Sequence, residues 1–215
     1  MFIAEISSNH NRDINRCIEF INKSKEIGFD AVKFQLFQID KLFSNEILDK
    51  SKIHRDRSKW ELPYEYIKIL SKECKELKIK FGVTPFYLEA VDKIEKYIDF
   101  YKIASYELLW LDLIKKCSQK NLPIILSTGM ANLKEIDDAV KILKKNKSNF
   151  SLLHCVSQYP AADKDLNLSV IKNLKKLYNV KIGWSDHSNS KDVVLSACLK
   201  WQAEIIEMHL DLDKK

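Results

Sequence analysis

Short apolar, β-rich runs recur along the whole chain, and each is separated from the next by a segment of helical period. The runs extend from Phe2 to Ile6, Ala31 to Phe37, Lys80 to Val83, Phe100 to Ala104, Pro123 to Leu126, Phe150 to Val156, Val180 to Trp184 and Glu204 to His209. Among the intervening segments, Asn132 stands as an N-cap with Glu135 three residues on, and Ile136, Ala139, Val140 and Leu143 share one face. The first helical segment carries Ile14, Cys17, Ile18 and Ile21 and stops at Gly28. Unbroken alternation of this kind is the pattern of a parallel sheet with right-handed crossovers. Eight runs favour a closed barrel over a doubly wound open sheet, which usually has about five or six strands and a glycine-rich first turn. The first turn here, residues 7 to 13, contains no glycine.

The expected fold is therefore α/β, a (β/α)8 TIM barrel of eight parallel strands forming one domain over residues 1–215. Such barrels usually take about 250 residues, and only six residues follow His209 in the 215-residue sequence. The last helix is expected to be missing, leaving apolar surface on strands eight and one uncovered. The polar stretch from Gln38 to Trp60 reads as one long irregular connection, either a lid over the site or a surface excursion.

Composition narrows the function by exclusion. The net charge of +6 arises from 36 basic and 30 acidic residues, and lysines such as Lys141, Lys144 and Lys145 lie on solvated helical faces rather than in a nucleic-acid footprint. Five cysteines with no C-x-x-C pair give neither a zinc knuckle nor a closed disulfide framework, and fit buried thiols in a reducing cytoplasm. No apolar stretch approaches the roughly 18 residues of a membrane span, and no basic leader precedes Phe2. The expectations are a cytoplasmic location, no membrane and no nucleic acid.

In a barrel the chemistry collects at the C-terminal ends of the strands. Those ends carry Glu5, Asn9 and His10; Lys33 and Gln35; Thr84; Lys102, Ser105 and Glu107; Ser127; His154, Ser157 and Tyr159; Ser185, Asp186 and His187; and Glu207 and His209. Lys33 and Lys102 sit in apolar strand sequence, where an ammonium needs an anion. That anion is either a ligand or an internal carboxylate such as Glu5, Glu107 or Glu207, and two lysines together with the hydroxyls of Thr84, Ser105, Ser127 and Ser185 favour a ligand. His187 and His209, on adjacent strands, are close enough to share one divalent ion, with Asp186 a possible orienting carboxylate; packed core histidines are the alternative. His154 reads as a satisfied core residue.

The strings E-I-S-S-N-H-N (5–11), A-V-K-F-Q-L-F (31–37), V-T-P-F (83–86), Y-K-I-A-S-Y-E (101–107), P-I-I-L-S-T-G-M (123–130), L-L-H-C-V-S-Q-Y-P (152–160), G-W-S-D-H-S (183–188) and I-I-E-M-H-L (205–210) resemble, in order, the strand-end motifs of the sialic acid synthase family. The resemblance spans essentially the whole chain. It implies condensation of phosphoenolpyruvate with an N-acylated hexosamine, dependent on Mn2+ or Mg2+. Carried over motif by motif, His187 and His209 correspond to metal ligands, and Lys33, Lys102, Thr84, Ser105, Ser127 and Ser185 to the phosphoenolpyruvate shell. Glu5, Gln35, Glu107 and Tyr159 match positions that touch the sugar or move protons, with Ser157 where many members have Asn. Glu5 and Glu107 are equal candidates to handle the proton of the attacking water. A phosphoenolpyruvate-using synthase for shorter sugar acids, a Schiff-base aldolase working through Lys102, and a non-catalytic relative are the alternatives.

The family normally has a glycine or other turn-former where Arg12 stands, and Gly-Ala where this chain has Gln202-Ala203. Members often continue into a C-terminal antifreeze-like domain, absent from this sequence, that completes the site in a homodimer.

Overall fold

Each apolar run is a strand in the computed structural model, which describes residues 1–213. The strands are β1 Phe2–Ser7, β2 Ala31–Leu36, β3 Lys80–Pro85, β4 Phe100–Ile103, β5 Ile124–Ser127, β6 Phe150–Cys155, β7 Lys181–Asp186 and β8 Ile206–His209. They close in sequence order into a barrel of parallel pairs, sealed where β1 meets β8 with Glu5 opposite His209. Because side chains alternate along a strand, each contributes one set outward to the helices and one inward to the axis. Val32, Phe34, Tyr101, Leu126 and Trp184 belong to the outer core, all fully buried.

Inside, Ile3, Ala31, Phe100, Ile125, Leu153 and Ile205 form a separate apolar cluster toward the N-terminal mouth. One step further along the strands the inward residues become polar: Glu5, Lys33, Lys102, Ser127, Ser185 and Glu207, each buried. The apolar layer closes one end, so a ligand can approach the polar layer from the C-terminal mouth alone.

The helices follow local chemistry. Asn132 forms the expected capping box with Glu135, and Ile136, Ala139, Val140 and Leu143 are the buried face of Leu133–Lys145. Helix Ile14–Ile27 ends at Gly28 in the left-handed region, φ 100°, although its buried stripe runs through Phe20 and Ser24 rather than Ile18.

One expectation is corrected and one holds in part. Gln38 to Trp60 is not irregular: it folds as helices Ile39–Leu42, Asn45–Lys50 and Lys52–Arg55 and a 3-10 turn Asp56–Trp60. Pieces of six residues or fewer give too few turns for a hydrophobic period to register. The segment is tied down by Arg12 Nη1 donating to the Ser58 carbonyl at 2.7 Å and by the Ile39 amide donating to Glu61 at 2.7 Å. The expected apolar surface on β1 and β8 is present in part: Phe2 is 40% exposed and Met208 half-buried. Ala4 and Ile206 are buried, and Cys198, Trp201, Leu210 and Leu212 pack against the core. Apolar exposure falls also on helix Lys191–Leu199, where Leu195 is 53% and Leu199 79% exposed. Among the described residues no helix follows β8, and no helix is long and apolar enough to cross a membrane.

Arg12 and Gln202, the two departures from turn-formers, both lie in the left-handed region, at φ 56° and 57°. A side chain there costs about 1–2 kcal/mol. Arg12 offsets this with its tether to Ser58, whereas no hydrogen bond from the Gln202 side chain is seen. Gln202→Gly is therefore expected to raise stability by about 0.5–1 kcal/mol in urea unfolding, and Gln202→Ala to gain nothing; an equal gain from both would show that the backbone there is not strained.

Candidate active site

Seven strands and the turns that follow them line a cavity of about 260 Å³ at the C-terminal mouth. Its floor is built from β1, β2, β4 and β8. Lys33 forms an ion pair with Glu5 and donates to Thr84 Oγ1 at 3.0 Å, while Gln35 Nε2 donates to Glu5 Oε1 at 2.9 Å. Lys102 Nζ donates to Ser127 Oγ at 2.7 Å and lies 3.5 Å from Glu207 Oε1. Ser185 Oγ donates to that same Glu207 oxygen at 3.2 Å. Both lysines thus meet internal carboxylates. Glu207 Oε2, buried and without a hydrogen-bond partner, remains available at the cavity lining.

Burial disfavours every charge in this layer, and the neighbours decide which side of the ordinary value each group falls. For Lys33 the pull of Glu5 and Glu207 outweighs burial, and its pKa is raised. For Lys102, burial and the nearby Lys33 outweigh Glu207, and its pKa is lowered. Burial would push Glu207 up, but Lys102 and Lys33 hold it below the usual carboxylate range. For Glu107 the pull of Lys102 and Lys33 is too weak to offset burial. Burial raises its pKa to about 7, and its Oε2 is buried without a hydrogen-bond partner.

The two imidazoles stand at the rim. His187 and His209 have ring centroids 5.6 Å apart, and the Tyr159 ring lies 4.0 Å from His187 and 6.0 Å from His209. His187 Nδ1 hydrogen-bonds the Val156 carbonyl at 2.9 Å, which fixes the tautomer and leaves Nε2 with the lone pair a metal requires. The donor set fits a divalent ion held by two imidazoles, its other positions taken by water or substrate. Among the described residues no group of three or more ligating side chains gathers. A second hollow of about 290 Å³ shares Tyr159, His187 and His209 with the first, so the histidines stand between two ligand-sized spaces.

The expected residues are largely brought together: Glu5, Lys33, Gln35, Lys102, Ser105, Ser127, Ser157, Tyr159, Ser185, His187 and His209 all line the cavity. Thr84 and Glu107 do not. Thr84 is fully buried behind Lys33 and braces it. Asp186 orients no imidazole; its Oδ1 accepts from Trp184 Nε1 and from the Ser188 amide and hydroxyl. Asn9 donates to the Leu210 carbonyl, and His10 is buried in the first turn, accepting from the Arg12 amide. His154 is the core residue expected, bonded to the Leu166 carbonyl at 2.8 Å and packed on Trp184.

Ser7, Tyr106 and Cys155 also line the cavity and escaped the sequence reading. Ser7 reaches it through a left-handed backbone, φ 53°, beside a register shift in β1. Cys155 Sγ lies 3.8 Å from both His187 Nδ1 and Ser157 Oγ. Strand alternation from Leu153, an inward residue, could have found it.

The structure is a closed parallel (β/α)8 barrel with a polar pocket at its C-terminal mouth, where paired ammonium and carboxylate groups lie below two converging imidazoles. Residues 20–215 match the model of the NeuB family, and the chain belongs to that family. It is 38% identical over 215 residues to an uncharacterized protein of Methanocaldococcus jannaschii, covering 99% of this chain and 62% of that protein. It is 36% identical over 229 residues to the N,N'-diacetyllegionaminic acid synthase of Campylobacter jejuni, covering 100% of this chain and 68% of the synthase. The crystal structure of N-acetylneuraminic acid (sialic acid) synthetase from Leptospira borgpetersenii, in complex with citrate, superposes with a TM-score of 0.92 at 34% identity, covering 99% of this chain and 73% of that one. The chain thus spans roughly two thirds of the length of these curated relatives.

The burial of Glu107 gives a stability test. Its carboxyl titrates from the ordinary 4.5 up to about 7 in the folded protein, so the folded state holds the proton more tightly, and this contribution is full below the unfolded value and lost as pH rises through the folded one. Glu107→Gln should be neutral near pH 4 and stabilising by at most about 3 kcal/mol above pH 8. A pH-independent difference in unfolding free energy would contradict the assignment.

Proposed function

We propose that this chain carries the catalytic barrel of a synthase that condenses phosphoenolpyruvate with an open-chain, N-acetylmannosamine-like amino sugar, giving a nine-carbon sialic-type sugar acid and phosphate. The observation that carries this reading is the sharing of one pocket by two buried ammonium groups, a ring of hydroxyls and two imidazoles at its rim. The named relatives, which make legionaminic and sialic acids, support it.

The residues divide the work. Lys33 and Lys102, with Ser105, Ser127 and Ser185, hold the phosphate and carboxylate of phosphoenolpyruvate, which orients C3 of the enol. Tyr159, Gln35 and the outer hollow receive the sugar, whose aldehyde carbon C3 attacks. His187 and His209 would hold a divalent ion, Mn2+ or Mg2+, which would supply Lewis-acid polarisation of the sugar carbonyl. C–C bond formation leaves positive charge at C2; water adds there, and the tetrahedral intermediate expels phosphate. Glu5 is already engaged by Lys33 and Gln35. Glu107 has a pKa near 7 but lies outside the cavity lining, so the two carboxylates stay equal candidates to take up the proton of that water.

The lowered pKa of Lys102 favours one other reading, a Schiff-base aldolase. Borohydride trapping separates the two, because a lysine labelled only in the presence of substrate would support the aldolase.

The full-length protein should release phosphate from phosphoenolpyruvate only when both a divalent cation and N-acetylmannosamine, or another N-acylated hexosamine, are present. Its product should have the mass of the condensed sugar acid. His209→Ala is expected to remove metal-dependent turnover with the fold retained, whereas His154→Ala should mainly cost about 1–3 kcal/mol of stability. Phosphate release without sugar, or equal effects of the two histidine variants on turnover, would overturn the proposal.

A further inference from the structure

We infer that Gly129 is a positioning residue of the anion site: its lack of a side chain lets the hydroxyls of Ser105 and Ser157 converge beside the cavity, and so sets affinity for the phosphate-bearing substrate. The inference rests on the proposed reading of the cavity.

Gly129 lies two residues beyond the end of β5, between the turns that follow β4 and β6. Its amide donates to Ser105 Oγ at 3.0 Å, which leaves the Ser105 proton free to be donated elsewhere. A Cβ added at Gly129 would stand 2.6 Å from Ser157 Oγ, 2.8 Å from Ser105 Oγ and 3.1 Å from the Cys155 carbonyl oxygen. The first two separations are well inside van der Waals contact. A serine has a single side-chain torsion, so each hydroxyl can escape only by rotating about 120° to another staggered position or by moving its backbone. The Cys155 carbonyl has no torsion to turn. Ser105, Ser157 and Cys155 all line the cavity, so either escape re-aims a donor that the anion would use. Donors fixed before the ligand arrives cost no reorganisation when it binds, and the two serines, from different turns, keep that arrangement only around a residue without Cβ.

The test compares wild type, Gly129→Ala, Ser157→Ala and the double variant. The double variant also guards against misfolding, since it removes the nearest clash. Gly129→Ala should retain a cooperative melt, raise the KM for phosphoenolpyruvate at least about tenfold and change that for sugar less than about twofold. On the Ser157→Ala background the same substitution should cost much less, because it would displace a hydroxyl already gone. A substrate-free readout is the rate at which methyl methanethiosulfonate labels Cys155, followed by mass spectrometry. Re-aiming the Ser157 hydroxyl, which lies 3.8 Å from the sulfur, should change the labelling rate several-fold. Failure of the wild type to bind phosphoenolpyruvate in calorimetry would overturn the reading of the site. A wild type that binds normally, with Gly129→Ala altering neither affinity nor labelling, or with fully additive losses in the cycle, would overturn this inference alone.

Discussion

The site depends on the neutralisation of two buried ammonium groups. Lys33 and Lys102 are each 2% exposed, and an ion removed from water without a partner costs several kcal/mol even after relaxation. Glu5 and Glu207 supply the countercharge, and they come from β1 and β8, the first and last strands. Only closure of the barrel brings those strands together, through the pairing that sets Glu5 opposite His209. The seam that completes the fold is therefore the seam that makes the lysines tolerable, and it sets one imidazole at the rim of the same pocket.

Internal pairing also shapes how a ligand is received. On the proposed reading an incoming dianion would not meet free cations; it would share ammonium groups already held by Glu5 and Glu207 and gain the hydroxyls beside them. Such a site discriminates by geometry more than by net charge, because the layer has two positive and two negative members before anything binds. The hydroxyls of Thr84 and Ser127 matter here as props that keep each Nζ aimed while its carboxylate partner is shared.

The barrel was legible in the sequence because eight β-rich runs and the helical segments between them leave few ways to close a sheet. Lys33 and Lys102 were legible as well, since a lysine inside Ala-Val-Lys-Phe or Tyr-Lys-Ile is costly wherever the strand goes. What a one-dimensional pattern cannot carry is the partner of each charge. That Lys33 meets Glu5 and Lys102 meets Glu207 follows from the stagger of strands around a closed barrel. Asp186 was misjudged for the same reason: proximity to His187 in sequence says nothing about a side chain turned back to Trp184 and Ser188. Ser7 needed a left-handed serine, which leaves no trace in sequence. The short helices between Gln38 and Trp60 needed more turns than they possess.

The central claim is that one pocket gathers a small dianion on Lys33 and Lys102 and a divalent cation on His187 and His209. A crystal structure of the protein soaked with phosphoenolpyruvate and Mn2+, read by anomalous scattering at the manganese edge, tests it most directly. The account predicts a manganese peak between the two imidazoles and phosphoenolpyruvate density over the lysine floor of the same cavity. Manganese bound elsewhere, or the anion settled at the apolar N-terminal mouth with both lysines untouched, would contradict it.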